Sequence, residues 1–311
     1  MVTGGTGSFG SVFVKRALSF VDAITVYSRD EFKQGELAVE LGSDRVRFVI
    51  GDVRDRDRLS RAAEGCDTII HAAAMKQVPA CDTNPTEAVA INVDGSRNVV
   101  SVATERKCRA VVLSTDKAAL PTTLYGATKL IADRLFLAAG FPVVRCGNIF
   151  ASRGSVVPLF ASQRDTGSVT VTDMRMTRYS ITVDGAVDIV AKAMREGGAC
   201  IYVPKMPSYR IGDVIEAIAP GCAVNEIGAR AGERLHECLI TDAEASCTHE
   251  YTDHYIIDPA LVCLGGIARG LYSDQNTRWL TVADIRGAAL NPAQRDAEWL
   301  NRLSIITSGE M

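Results

Sequence analysis

Short apolar runs alternate with amphipathic stretches through the first half of the chain. AITVYS (23–28), RVRFVIGD (45–52), DTIIHAAA (67–74), AVVLST (110–115) and PVVRCGN (142–148) are rich in β-branched residues and almost continuously apolar. That pattern predicts strands buried on both faces. EFKQGELAVELG and DRDRLSRAAEG between the first of them read as helices, and further helical stretches begin near Pro85 and Tyr125. Strand–helix alternation of this kind predicts an α/β fold, a Rossmann-type doubly wound parallel sheet with ligands outside the carboxyl ends of its strands. After about residue 150 the pattern breaks: SRGSVVPLF, TVTDMRMTRYS and RAGERLHE are polar, basic and irregular. The expected organisation is a nucleotide-binding domain over 1–150 and, over 151–311, mainly a smaller, irregular α/β C-terminal lobe. Segments near 184–204, a helix over 184–196 and the strand CIYVP, are expected to return to the first domain. No internal repeat or low-complexity tract interrupts this scheme, and the terminal ITSGEM reads as frayed.

Composition narrows the functional classes. The 311 residues are 47% hydrophobic and 23% charged with a net charge of −3, and no basic run suggests a nucleic-acid surface. A local basic cluster for a small anionic ligand remains compatible with that balance. Nine cysteines include no CxxC pair, and no signal peptide precedes them. Reduced thiols in a cytoplasmic protein follow, with no metal expected because no ligands have metal spacing. No apolar run is long enough to span a bilayer.

The chain opens on MVTGGTGSFG, where Gly4, Gly7 and Gly10 form G-x-x-G-x-x-G ahead of the helical SVFVKRALSF. Glycine lets backbone N–H groups approach a pyrophosphate, and a helix N-terminus adds its dipole. Gly4, Thr6, Gly7, Ser8, Phe9 and Gly10 are therefore candidate dinucleotide contacts. At the end of the second strand, Ser28, Arg29 and Lys33 suit a 2′-phosphate and favour NADP over NAD, although Asp30 and Glu31 also fit a solvated helix start. Asp52, followed by Val53, either contacts the adenine or caps the next helix. Ala72, Ala73 and Ala74 allow close backbone approach at the fourth strand's end, where His71 reads as a packed core residue. Only Met1, Val2 and Thr3 precede the loop, so the strand that should carry it is almost absent. The expectation is an N-terminally truncated chain or a start assigned too late.

Two stretches carry chemistry. STDK closes the fifth strand, with Ser114, Thr115, Asp116 and Lys117, and YGATK follows with Tyr125 and Lys129. A tyrosine and a lysine at i,i+4 share a helix face, so the ammonium can stabilise the phenolate and lower the tyrosine toward a usable general base. Asp116 and Lys117 alone could equally be a local ion pair in an exposed loop.

TGGTGSFG, GDVRD, HAAA, STDKA and YGATK together resemble the extended short-chain dehydrogenase/reductases. VYSRDEFKQ, HAAAMKQVP, STDKAALPTTLYGATK, SRGSVVP, TDMRMTR and RAGERLHE are similar to the inverting UDP-N-acetylglucosamine 4,6-dehydratases, which begin pseudaminic acid synthesis. The resemblance runs from Thr3 to about Arg286. It implies hydride transfer from sugar carbon 4 to NADP⁺, loss of water across carbons 5 and 6, and return of the hydride to carbon 6. Tyr125 would be the base at the carbon-4 hydroxyl, tuned by Lys129 and aided by Thr115. Lys117 would take the carbon-5 proton and Asp116 would help the carbon-6 hydroxyl leave, although two close ionisable groups titrate as a pair. Asn92 matches an asparagine that orders the active site. Asn148, Arg153, Val156, Arg175, Arg178, Arg230 and Glu233 would bind the nucleotide sugar, with Lys76 and Lys117 facing the same pocket. The family pattern has proline where this chain has Ala231, which loosens that loop. Asn276 and Trp279 are expected to be structural. A homo-oligomer is implied by the resemblance alone. Two rival readings are a nucleotide-sugar 4-epimerase, which does not need the Asp116–Lys117 pair, and a non-catalytic NADP-binding scaffold.

Overall fold

Six strands running in parallel form the centre of the molecule: β1 (Val2–Thr3), β2 (Ile24–Ser28), β3 (Val46–Ile50), β4 (Thr68–His71), β5 (Arg109–Thr115) and β6 (Val143–Cys146). The computed structural model describes residues 1–260 and 266–290, so Cys263 and the ITSGEM stretch lie outside the described residues. The strands lie in the order 3-2-1-4-5-6, the doubly wound arrangement expected from the alternating pattern. Strand Ile201–Pro204 continues the sheet in parallel beside β6, and His254–Ile257 and Thr248–Glu250 close it as antiparallel strands. The last two were not anticipated. Their sequence, THEYTDHYII, mixes charge into a hairpin that covers a sheet edge, and that hides the period of two.

β1 is two residues long, yet it is paired on both sides. Val2 lies opposite Val26 and Ile70, and Thr3 opposite Tyr27 and His71. The Met1 amino group donates to the Thr68 carbonyl at 2.7 Å, and the Gly4 N–H donates to the Tyr27 carbonyl at 2.8 Å. His71 is packed as expected: Nδ1 is hydrogen-bonded to Thr3 Oγ1 at 2.7 Å, Nε2 to Ser96 Oγ at 3.1 Å, and the ring stacks on Phe136. Burial pushes the imidazole down to about 3. β3 departs from the expectation of two buried faces. It is an edge strand, and Ile50 is 43% exposed.

The helices are set by local chemistry. α1 (Ser8–Ala17) follows the glycine loop. Asp30 caps α2 (Glu31–Leu41) by accepting from the Lys33 N–H, and left-handed Gly42 ends it. Asp55 caps α3 (Arg56–Ala62), so Asp52 is not that helix's cap. Thr123 caps the helix Leu124–Ala138. The helix Val183–Glu196 places Ala186, Val187, Val190 and Ala193 in the main core, and Leu239, Ile240 and Ile257 join them. A second core around Phe160, Val169, Met176, Tyr209 and Val214 holds the smaller lobe together. No helix among the described residues is long and apolar enough to cross a membrane.

Candidate active site

A cavity of about 590 Å³ opens at the carboxyl ends of the parallel strands. The glycine loop forms its floor. Gly4 has φ 69°, and a Cβ there would fall 2.7 Å from the Ala73 backbone nitrogen; a Cβ at Gly10 would fall 2.4 Å from the Gly4 carbonyl oxygen. Loop, α1 and the end of β4 can thus approach only through glycine. Gly7 precedes α1 as its N-cap and offers no side-chain cap, the first turn has no acidic residue, and Gly7, Ser8 and Phe9 line the cavity beside Thr6. This is a cradle that a Cβ would fill, at an uncapped helix N-terminus, and it fits a dinucleotide pyrophosphate.

The end of the cavity beside β2 has a balanced charge. Ser28, Arg29, Lys33, Asp52 and Val53 line the cavity there. However, the Lys33 ammonium is paired with Asp30, and Arg29 Nη1 lies 3.7 Å from Asp52 Oδ2. Asp52 also accepts from the Arg54 N–H at 2.9 Å and from its guanidinium. Ala72, Ala73 and Ala74 form the opposite wall.

Asn92 does not line the cavity, contrary to its expected cofactor contact. It sits in a π-helical turn, Ala90–Asp94, and is 1% exposed. Its amide nitrogen donates to the Met75 carbonyl at 2.8 Å and to Thr128 Oγ1 at 3.0 Å, while its amide oxygen accepts from the Met75 N–H at 2.8 Å. It pins the segment after β4 to the helix that carries Tyr125 and Lys129.

β5 delivers Thr115 to the cavity wall, and the chain then tightens into a 3₁₀ turn, Asp116–Ala118. Thr115 Oγ1 donates to Asp116 Oδ1 at 3.0 Å, and Thr115 and Tyr125 line the same cavity. The helix that carries Tyr125 can come near the turn because its third residue is Gly126, where a Cβ would fall 2.4 Å from the Lys117 carbonyl oxygen. Lys117 Nζ donates to Asp116 Oδ1 at 3.0 Å and to Asn148 Oδ1 at 3.3 Å, and pairs with Glu237 Oε1 at 3.0 Å. Burial pulls this ammonium down, but Asp116 and Glu237 together push it above the usual lysine range. Burial raises Asp116, and the Glu237 charge adds to it against the pull of Lys117. Asp116 Oδ2 is buried without a hydrogen-bond partner. Glu237 behaves oppositely: Lys117 and Arg178 outweigh its burial and hold it below the usual range.

The Tyr125–Lys129 reading is corrected in one respect. Lys129 Nζ donates to the Leu113 carbonyl at 2.8 Å, and burial lowers it. Tyr125 is pushed up to about 12, chiefly by burial, rather than lowered; Lys117 and Thr115 are the groups that oppose the rise.

A second cavity of about 210 Å³ adjoins the first and shares Lys76, Gln77, Lys117 and Asn148 with it. Arg178, Arg230, Glu233 and Arg234 line it. Arg178 is 7% exposed, with Nη1 donating to the carbonyls of Thr177 at 2.8 Å and Leu235 at 2.9 Å. Arg175 lines neither cavity; it is exposed and fork-bonded to Asp173, Nε to Oδ1 at 3.0 Å and Nη2 to Oδ2 at 2.6 Å. Val156 also lines neither, because it starts the helix Val156–Arg164. Arg153 lies on the dinucleotide side, where Nη2 donates to the Thr6 carbonyl at 2.9 Å and its N–H to Ser8 Oγ at 3.2 Å. Asn276 donates to the Met206 carbonyl and to Ser208 Oγ, and the Trp279 ring lies under Arg210, both away from the chemistry. Glu237 was missed by the sequence reading. It is the last letter of RAGERLHE, and no spacing in the chain relates it to Lys117.

A family model described as polysaccharide biosynthesis protein matches residues 1–259. UDP-N-acetylglucosamine 4,6-dehydratase (inverting) of Campylobacter jejuni is 43% identical over 278 residues, covering 84% of this chain and 83% of that protein. UDP-glucose 4-epimerase of Rickettsia conorii is 37% identical over 278 residues, covering 83% and 82%. The X-ray structure of Pen from Bacillus thuringiensis matches at a TM-score of 0.88 and 34% identity, over 94% of this chain and 96% of that one.

Proposed function

The chain belongs to the polysaccharide biosynthesis protein family, and we propose that it is an NADP-dependent UDP-N-acetylglucosamine 4,6-dehydratase that inverts carbon 5. The observation that carries this reading is the Asp116–Lys117 pair, 3.0 Å apart: Lys117 lines both cavities and shares the first with Tyr125 and Thr115, while Asp116 is buried behind it and lines neither. Hydride exchange alone needs a tyrosine and a hydroxyl partner. Elimination of water needs a second acid/base pair, and this is the only use the reading has for two ionisable side chains on the turn. The 43% identity to an inverting dehydratase supports the same conclusion.

A nicotinamide dinucleotide, when bound, supplies the hydride acceptor and donor. The glycine loop holds its pyrophosphate, and Arg29 and Lys33 serve the 2′-phosphate by exchanging Asp52 and Asp30 for it. Thr115 and Tyr125 bind the carbon-4 hydroxyl, and Tyr125 takes its proton as the phenolate, a form that burial opposes and the Lys117 charge favours. Lys117 passes a proton to Asp116, whose burial favours the proton-bearing form; the neutral amine then takes the carbon-5 proton while the Asp116 carboxyl donates to the leaving carbon-6 hydroxyl. Arg178, Arg230 and Lys76 give the second cavity the positive charge a sugar-nucleotide diphosphate needs. The product would enter pseudaminic acid or a related surface glycan.

The 37% identity to a UDP-glucose 4-epimerase favours one other reading, epimerisation at carbon 4. Incubation with UDP-N-acetylglucosamine followed by mass spectrometry separates them. Loss of one water mass is expected; an unchanged mass with a new isomer would establish the epimerase, and an unaltered substrate would overturn both.

A further inference from the structure

We propose that Glu237 is a positioning residue for the catalytic turn: it holds the Lys117 ammonium as a second carboxylate beside Asp116, so that Asp116 can carry a proton without leaving Lys117 unpaired. This rests on the acid/base roles given above to Asp116 and Lys117.

The geometry is that of a closed clamp. Lys117 Nζ has Asp116 Oδ1 at 3.0 Å and Glu237 Oε1 at 3.0 Å, with the Asn148 amide oxygen at 3.3 Å as its third acceptor. Glu237 is 4% exposed, so its charge is screened little by solvent. Arg178 Nε lies 3.6 Å from the same Oε1 atom, and Arg178 is itself fixed by the Thr177 and Leu235 carbonyls. The backbone of Glu237 is equally fixed: its N–H donates to Ser273 Oγ at 2.9 Å, and Ser273 Oγ in turn donates to the Thr177 carbonyl. Three separate segments, around residues 177, 237 and 273, therefore hold one carboxylate against the catalytic lysine.

The charges around the clamp sum in a definite way. Facing Lys117 are Asp116 on its own turn, Glu237 from the segment before strand Cys238–Ile240, Arg178 from strand Thr177–Ile181, Tyr125 from the helix Leu124–Ala138 and Tyr209 from strand Ser208–Arg210. Arg234 acts on Glu237 from the second cavity. With Arg178 beside it, Glu237 stays ionised despite burial. The lysine then keeps one anionic partner at every stage, whichever form Asp116 takes. Without Glu237, protonating Asp116 would strand a buried ammonium, a costly state.

The test uses the whole protein and no substrate. Lys117 acetylation by acetic anhydride is followed against pH by peptide mass spectrometry in the wild type and in Glu237→Gln, which keeps the shape and an acceptor but loses the charge. The labelling midpoint of Lys117 is expected to fall by about 1 to 3 pH units in Glu237→Gln and to return toward the wild-type value in Glu237→Asp. In turnover, the limb of the pH profile due to Lys117 should move to lower pH by a similar amount. An unchanged labelling midpoint in a folded Glu237→Gln protein overturns the proposal, even if turnover falls. Should Glu237→Gln not fold, the same labelling is read in Glu237→Ala, where a midpoint that falls supports the clamp and an unchanged one overturns it. Failure of the wild type to dehydrate UDP-N-acetylglucosamine would overturn the function above while leaving the labelling result intact.

Discussion

The two walls of the cleft are built by opposite means. The glycine-loop wall is made of backbone and small side chains from two short runs of sequence, Gly4 to Gly10 and Ala72 to Ala74, and what it admits there is set sterically. The catalytic wall is made of charged side chains gathered from distant segments: Asp116 and Lys117 on one turn, Arg178 and Glu237 from the other lobe. A steric wall fails when an atom is added. An electrostatic wall fails when a charge is removed. Substitutions that add bulk on one side and delete charge on the other should therefore separate binding from chemistry.

The largest effect is expected at the catalytic wall. Lys117→Ala should lower dehydration by roughly 10²–10⁴-fold while dinucleotide binding, followed by fluorescence titration, is retained; full turnover by the variant would remove Lys117 from the chemistry. On the steric wall, Gly4→Ala forces a left-handed φ onto alanine and drives its Cβ against Ala73. A loss of about 2–4 kcal/mol in denaturant unfolding is expected, with dinucleotide binding lost as well. Asn92 joins the two regions, and Asn92→Ala should cost about 1–3 kcal/mol by stranding the Met75 backbone groups it satisfies, seen as a lower melting temperature.

Beneath the steric wall, His71 offers a pH test. Its folded value near 3 lies below the unfolded value of 6.5, so the unfolded chain binds the proton more readily. The contribution is complete above pH 6.5 and is lost as pH falls toward 3, at a slope of up to about 1.4 kcal/mol per pH unit. His71→Gln should flatten that part of the stability curve, whereas an unchanged slope would assign the acid sensitivity to other groups. The smallest effect is expected at Arg175, outside both cavities: Arg175→Ala should shift stability by no more than ~0.5 kcal/mol and leave KM for the nucleotide sugar unaltered. A raised KM would bring Arg175 back to the substrate wall.

Much of this architecture was legible in the order of residues. Alternating apolar runs announced the parallel sheet, G-x-x-G-x-x-G announced the cradle, and STDK with YGATK announced a turn and a helix that meet. These are short-range patterns. Hydrophobic period, glycine at a forbidden φ and i,i+4 spacing are written in neighbouring residues, because the backbone geometry they encode is local. The fate of a charged side chain is not local. Arg175 and Arg178 stand three positions apart in one motif, yet Arg175 ends on the surface with Asp173 and Arg178 ends buried beside Glu237. Lys129 was expected to serve Tyr125 and instead donates to the Leu113 carbonyl, while Tyr125 is raised by burial that no spacing reveals. Asn92 and Glu237 do their work through partners far away in the chain. The sequence by itself determined the sheet, the cradle and the turn that sets Asp116 beside Lys117. Only the tertiary structure decided which charges face one another, because desolvation and Coulomb energy depend on every group within a few ångströms, whatever its place in the chain.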